Sequence, residues 1–359
     1  MRKNALIFAG VAATAAGIAF LLLPGKEGGG ALAGIDWLMV LSVLLRGLLA
    51  FGLAIVFHEV GHLLGAWIMR SRVARICLGP LVITPSPFRV EWAGIHPFFF
   101  GAIQCELSSY KDERTFAASI HAQRIVFAAG PVFSLVLGLI VLRFSDGLLE
   151  FMGMFGALSV GIGIATLLTD GTSAILLGSR AYALFFAWTA LISASRLDTD
   201  KLNVLLAESK RHLQSFSPRS AQADKDLYDL NVLYYYRAMQ SSSDEDSRIE
   251  SIISQLLEQG PEASASSKHR DTVAMILAEE VVRLHEAGRT EAANRLMERL
   301  RIGWELDPLS SLKLEAFMRR SKPHAESYLD RIRAMGTKIH SYGALLDFER
   351  SRLNIRTEA

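Results

Sequence analysis

The stretch Phe57-His58-Glu59-Val60-Gly61-His62 lies inside an apolar run from Gly47 to Met69. On a helix, His58 and His62 stand one turn apart on the same face, where two imidazoles bind one Zn²⁺, and Glu59 sits beside them as a general base. Roughly one chain in a hundred of this length holds such an arrangement by composition alone, and the position of this one narrows that further. Ionisable side chains in a membrane helix are costly and are kept mostly where they act. Three of them between His58 and His62 read as a hydrolytic zinc site inside a membrane, in preference to satisfied polar residues facing a bundle interior.

The distribution of charge divides the chain. Residues 1–195 hold 13 Lys/Arg and 10 Asp/Glu, whereas residues 196–359 hold 25 and 26. Ahead of Arg196 lie apolar runs at 5–23, 31–69, 120–142, 148–168 and 174–195, against the roughly 20 helical residues that a bilayer core requires. The run at 5–23, preceded by Arg2 and Lys3, exceeds the usual core of a signal peptide and reads as a retained anchor, despite the cleavable-looking Ala31-Leu32-Ala33. A net charge of +2 gives no reason to expect an acidic polymer such as nucleic acid as partner. Two cysteines, Cys77 and Cys105, make no disulfide framework.

Arg2 and Lys3, then Arg70, Arg72 and Arg75, then Lys111, Arg114 and Arg124, mark one side of the membrane as cytoplasmic. If the motif helix leaves the bilayer near Met69, His62 lies about 10 Å below that surface. The other interface then falls near Arg46, and residues 31–45 form a separate or kinked piece. Residues 174–195, interrupted by Arg180, read as an interfacial helix, which leaves the C-terminus cytoplasmic.

A zinc hydrolase needs a third protein ligand and an open position. Within the membrane part the acidic choices are Asp36, Asp146, Glu150 and Asp170. Asp146 and Glu150 belong to the opposite interface. Asp170 ends an apolar run that returns toward the cytoplasmic side, with Gly171 free to turn the backbone, so its depth matches that of His62. An N-cap ahead of Ile175-Leu176-Leu177 is compatible with the same residue. His121 is the weaker candidate.

His58-Glu59-Val60-Gly61-His62, then Ala129-Gly130-Pro131 opening the next membrane helix, then Thr169-Asp170-Gly171 at the end of a third, resemble the site-2 protease family of intramembrane zinc metalloproteases. The resemblance covers about residues 47–180. It implies that His58, His62 and Asp170 bind Zn²⁺, that Glu59 activates water, and that the substrate is a transmembrane segment of another protein. Relatives usually carry an Asn-x-x-Pro stretch before the Asp-Gly and often an Asn shortly after the Gly-Pro. This chain has no Asn between Asn4 and Asn203. Ser134 is the nearest polar residue after Gly130-Pro131, and Thr166 or Thr169 offers a donor toward an oxyanion.

Residues 75–106 are broken by Gly79-Pro80, Pro85, Pro87, Gly94, Pro97 and Gly101, with Leu81–Thr84 and Phe88–Trp92 favouring β-structure between them. They read as a small β-hairpin at the mouth of the site, either receiving an extended substrate at its edge or anchoring Trp92 and Phe98-Phe99-Phe100 in the interface. The tail reads as helical hairpins: 226–240 with 247–258 across the break 241–244, then 272–285 with 290–301, then 309–320 with 324–335. This is similar to tetratricopeptide repeats.

The expected fold is mainly α. A polytopic membrane helix bundle, residues 1–195 with anchor 5–23 and core 47–180, carries the hairpin insertion, and a cytoplasmic all-helical, tetratricopeptide-like domain spans 196–359. The expected function is that of an intramembrane zinc metalloprotease in the cell membrane, with the bilayer, a transmembrane substrate and a protein bound by the tail as partners. The second reading is a catalytically silent scaffold with structural zinc.

Overall fold

The computed structural model describes residues 37–94, 101–218, 226–240, 246–261, 266–319, 321–336 and 342–353. The anchor at 5–23, Ala31–Ala33, Asp36, Phe98–Phe100 and the break at 241–244 lie outside the described residues. The remainder forms two compact units. One consists of residues up to Glu106 together with His121–Ile175; the other is Leu107–Ile120 with the chain from Leu176 onward.

The first unit is built on helix α1 (Trp37–Ile68), on α2 (Glu113–Phe144) from His121 onward and on α3 (Phe151–Thr166), the last continuing through a π-helical turn (Leu167–Gly171) into α4 (Thr172–Leu176). Three stretches, Leu38–Ile68, Glu113–Phe144 and Phe151–Leu176, are long and apolar enough to cross a membrane. Their outward side chains include many large apolar groups, leucines above all, with Leu38 78% and Leu168 77% exposed. So large an apolar surface fits lipid and not water. Inside, Ala50 and Ala54 of α1 meet Met154 and Phe155 of α3. Where α1 crosses α2, a Cβ on Gly61 would lie 2.7 Å from that of Phe133 and 2.9 Å from the Ala129 carbonyl oxygen. Small residues bring these two backbones together.

Two expectations change here. Within the described part of the expected piece 31–45, residues 37–45 are not separate from the motif helix, because nothing between Trp37 and Ile68 breaks the helix and no proline interrupts it. Ala129-Gly130-Pro131 does not open a helix either. Glu113 begins α2, and Pro131 lies in its interior.

Between α1 and α2 lies a four-stranded antiparallel sheet, more than the expected hairpin: β1 (Val73–Leu78), β2 (Leu81–Pro85), β3 (Phe88–Trp92) and β4 (Ala102–Cys105), in the order β3-β2-β1-β4. The register sets Leu81 opposite Trp92, Ile83 opposite Val90 and Pro85 opposite Phe88, while Ile76 of β1 faces Ile83 and Ile103. Opposed residues share a face, so one face is wholly apolar. Phe88 and Trp92 on it are 74% and 69% exposed. The other face turns Cys77 and Val82 inward.

The second unit is all helix: α5 (Arg180–Ile192), α6 (Thr199–Leu213), α7 (Asp226–Met239), α8 (Ser247–Gln259), α9 (Ser267–Glu286), α10 (Thr290–Gly303), α11 (Pro308–Arg319), α12 (Lys322–Met335) and α13 (Gly343–Arg352). The hairpin helices expected from sequence stand within a few residues of their observed bounds. Ile249, Ile252, Ile253 and Leu256 form the buried stripe of α8, and Tyr236 is core. Residues 174–195 are not an interfacial helix. Ser179 caps α5, whose Ala183, Leu184, Ala187, Trp188 and Leu191 are buried within this unit. Trp188 Nε1 donates to Ser209 Oγ of α6 at 2.9 Å. At 13 residues, α5 is too short to span a bilayer.

Charges are buried here as well. Lys313 lies 2.5 Å from Glu279 and 2.7 Å from Glu349, and Arg352 reaches both Glu279 and Glu286. Burial pushes the Glu279 carboxyl up, but Lys313 and Arg352 more than reverse this and hold it well below the usual carboxylate range. The last helix, α13, is thereby tied to α9 and α11.

Candidate metal centre

Helical spacing places His58 and His62 together, and both are buried with Glu59. Their Nε2 atoms lie 3.2 Å apart. Asp170 joins them from α3's π-helical turn, with Oδ2 3.5 Å from His58 Nε2 and 3.4 Å from His62 Nε2. Such turns fit one extra residue into a helix and recur at functional sites. Gly171 therefore does not turn the chain away, and Asp170 caps nothing, because the helix runs on to Leu176. Thr172 and Ser173 donate their hydroxyls to the carbonyls of Leu168 and Thr169, taking up acceptors in the widened turn.

Helix α2 holds the other nitrogens of both rings. His62 Nδ1 donates to the Val126 carbonyl at 2.7 Å, since a carbonyl only accepts. In the neutral ring this leaves the Nε2 lone pair free and aimed at the cluster. His58 Nδ1 lies 3.0 Å from the buried Ser134 hydroxyl. Arg124, also on α2, donates to the Ala174 carbonyl at 3.1 Å and ties down the turn that follows Asp170. Gly130 leaves room for His62. A Cβ there would sit 2.3 Å from His62 Nε2, so Gly130→Ala is expected to displace that ring and weaken metal binding by about ten- to a hundredfold, the range seen when a ligand loses its support. Zinc titration of the purified variant checks this; parental affinity would show that His62 is not held as described.

The donor set suits zinc. Ligands about 2.0–2.1 Å from a tetrahedral ion stand roughly 3.3 Å from one another, close to the three separations here. Two imidazoles and one carboxylate leave a fourth position open, the pattern of a hydrolytic site and not of a closed structural one. Glu59 supplies a second sign. Its Oε2 is buried without a hydrogen-bond partner, an arrangement that is costly unless the group acts. Gly101, just ahead of β4, presses against it: a Cβ there would lie 2.3 Å from Glu59 Oε1, and φ is +111°. Glycine meets both demands.

Among the described residues, His58, His62 and Asp170 form the one group of three potential metal ligands. His121, Asp146 and Glu150 are exposed and stand apart from it. The threonines expected as oxyanion donors are occupied within their own helix: Thr166 Oγ1 donates to the carbonyls of Ile162 and Gly163, and Thr169 Oγ1 to that of Thr166. Sequence reasoning missed Val126, Arg124 and the role of Gly101. A ligand's backbone partner leaves no trace in side-chain identity, and a glycine's neighbour is known only once the chain has folded.

No curated protein and no solved structure matches the chain. The family model for peptidase family M50 matches residues 46–297. The match takes in the motif helix, the sheet, the helices that carry Ser134 and Asp170, and the tail as far as α10. The chain thus belongs to peptidase family M50, the site-2 protease family.

Proposed function

We propose that this protein is an intramembrane zinc metalloprotease that hydrolyses a peptide bond in or near a transmembrane segment of another membrane protein. The observation that carries this reading is the joining of two histidines, an aspartate and an unpartnered buried glutamate on helices long and apolar enough to cross a bilayer. His58, His62 and Asp170 hold the ion in this reading. The chemistry zinc supplies when bound is polarisation of the scissile carbonyl and activation of water.

Glu59 does the proton work. Its carboxylate takes a proton from the attacking water and returns it to the leaving amine nitrogen, and its partnerless oxygen leaves it free to do both. Val126 and Ser134 keep the imidazoles oriented, so that no reorganisation accompanies the reaction. A helical substrate must first be unwound, because its carbonyls are occupied and its bonds shielded. The β4 edge fits that task. Among the described strands β4 pairs with β1 alone, and it begins beside Glu59. An extended substrate adding to that edge would reach the base. The apolar face of the sheet lies in the membrane interface in this reading, with Trp92 as an anchor.

Arg70, Arg72, Arg75 and Lys111 support a cytoplasmic position for this end of the site, and α5, too short to cross, supports the same side for the helical tail. The tail, with tetratricopeptide-like hairpins, binds a protein partner or the substrate's soluble part. A reporter fused after Ala359 is expected to be active only in the cytoplasm; activity solely on the far side would overturn the orientation.

The function itself is tested with purified protein in bilayers containing single-span membrane proteins. Mass spectrometry should find new termini in or near the spans, lost with a zinc chelator and restored by Zn²⁺. New termini confined to loops remote from the membrane, or unaffected by chelation, would sink the reading.

A further inference from the structure

The residues between β4 and the membrane part of α2 do not belong to the membrane unit. Leu107–Ile120 is part of the helical unit, and its large apolar side chains Leu107, Tyr110, Phe116 and Ile120 are buried, Phe116 fully and Tyr110 nearly so. Tyr110 and Phe116 meet edge to face at 5.2 Å. Lys201 of α6 donates to the Leu107 carbonyl at 3.0 Å and covers the Tyr110 ring. Arg180 of α5 lies over Phe116, its guanidinium carbon 5.3 Å from the ring centroid. Ions complete the hold: Arg211 is 2.5 Å and Arg180 3.7 Å from the Glu113 carboxylate, and both arginines also pair with the buried Glu208. A carboxylate buried at the level of Glu208 is strongly destabilising once its cations are removed, so this cluster resists piecemeal loosening.

The same segment is covalently continuous, at both ends, with what shapes the metal centre. One residue, Glu106, separates it from β4, whose approach at Gly101 closes on Glu59. At the other end α2 continues without a break. Val126, which holds His62, follows Ile120 by six residues, about 9 Å along the helix, and Ser134, which holds His58, lies two turns beyond.

We infer that Leu107–Ile120 is a control point through which the helical unit sets the geometry of the catalytic centre, with Glu113, Arg180 and Arg211 as positioning residues. None of the three touches the metal ligands. They fix where α2 and β4 begin, and through those elements the supports of both histidines and the cover of Glu59. A protein that binds the helical unit and strains this ionic cluster would thereby alter cleavage without entering the membrane. The inference rests on the protease reading for its effect on activity, but not for its effect on β4.

The two cysteines give a readout independent of catalysis. Cys105, at the end of β4, is partly buried, and burial pushes its thiol up to about 11, so little thiolate is present and labelling is slow. Cys77, in β1, is fully buried and serves as the control. In the full-length protein in detergent, Glu113→Lys sets a third cation against Arg180 and Arg211. Maleimide labelling of Cys105, resolved from Cys77 by mass spectrometry, is expected to speed up about fivefold or more. Glu59-dependent cleavage should fall about tenfold or more, the scale of a misplaced catalytic group, with helicity as in the parent. Adding Arg211→Glu restores an opposite pair and should reverse both changes. Parental Cys105 labelling in Glu113→Lys overturns the inference whatever the activity. If the parent shows no Glu59-dependent cleavage, the protease reading fails, and Cys105 still decides the coupling. Should Glu113→Lys expose both cysteines, as in an unfolded chain, Glu113→Gln takes its place, and unchanged Cys105 labelling there overturns the proposal.

Discussion

Purified Glu59→Gln protein is expected to carry as much zinc as the parent and to cleave about 10²- to 10⁴-fold more slowly, the usual contribution of a positioned general base. The substitution keeps the size of the side chain and leaves His58, His62 and Asp170 untouched. On the proposed protease reading it removes the group that accepts the water's proton. A structural zinc site has no use for such a group. Glu59 is buried with one carboxylate oxygen lacking a partner, which costs stability and returns nothing unless the proton is moved. Zinc per protein and cleavage of a co-expressed membrane substrate, measured on the same preparations, distinguish an enzyme from a scaffold. Undiminished cleavage by Glu59→Gln would end the hydrolase mechanism.

Asp170→Ala and His58→Ala should behave differently, losing zinc and cleavage together. Each removes one donor from a site that has three, and the remaining pair cannot define a tetrahedral centre. Loss of a supporting partner alone commonly weakens a site by ten- to a hundredfold, so loss of a ligand should cost at least about a hundredfold in affinity. The contrast with Glu59→Gln is the point of the pair: one variant separates zinc content from cleavage, and the others bind them together. Asp170→Ala with full zinc would remove Asp170 from the centre, even though its Oδ2 lies within 3.5 Å of both Nε2 atoms.

What could be read in the sequence was local. His58, Glu59 and His62 declare themselves because helical period alone puts i and i+4 on one face, whatever surrounds the helix. Asp170 could be chosen from a short roll of acidic residues by depth. Its π-helical turn could not, because an extra residue in a helix depends on what packs beside it. The same limit explains the other differences. Leu81–Thr84 and Phe88–Trp92 announce a hairpin through their alternation and the turn between them, whereas Val73–Leu78 and Ala102–Cys105 become strands by pairing across more than twenty intervening residues.

The apolar character of Arg180–Ile192 was plain, but its destination was not. Hydropathy measures the cost of water and does not distinguish burial in lipid from burial against α6 and α7. Sequence alone thus determined the family and the apolar, membrane-length character of the helices. Tertiary structure alone decided that Val126 and Ser134 hold the histidines and that Gly101 closes on Glu59. It also decided that Leu107–Ile120 answers to the helical unit. These are contacts between residues far apart in the chain, several of them made by backbone atoms that every residue shares.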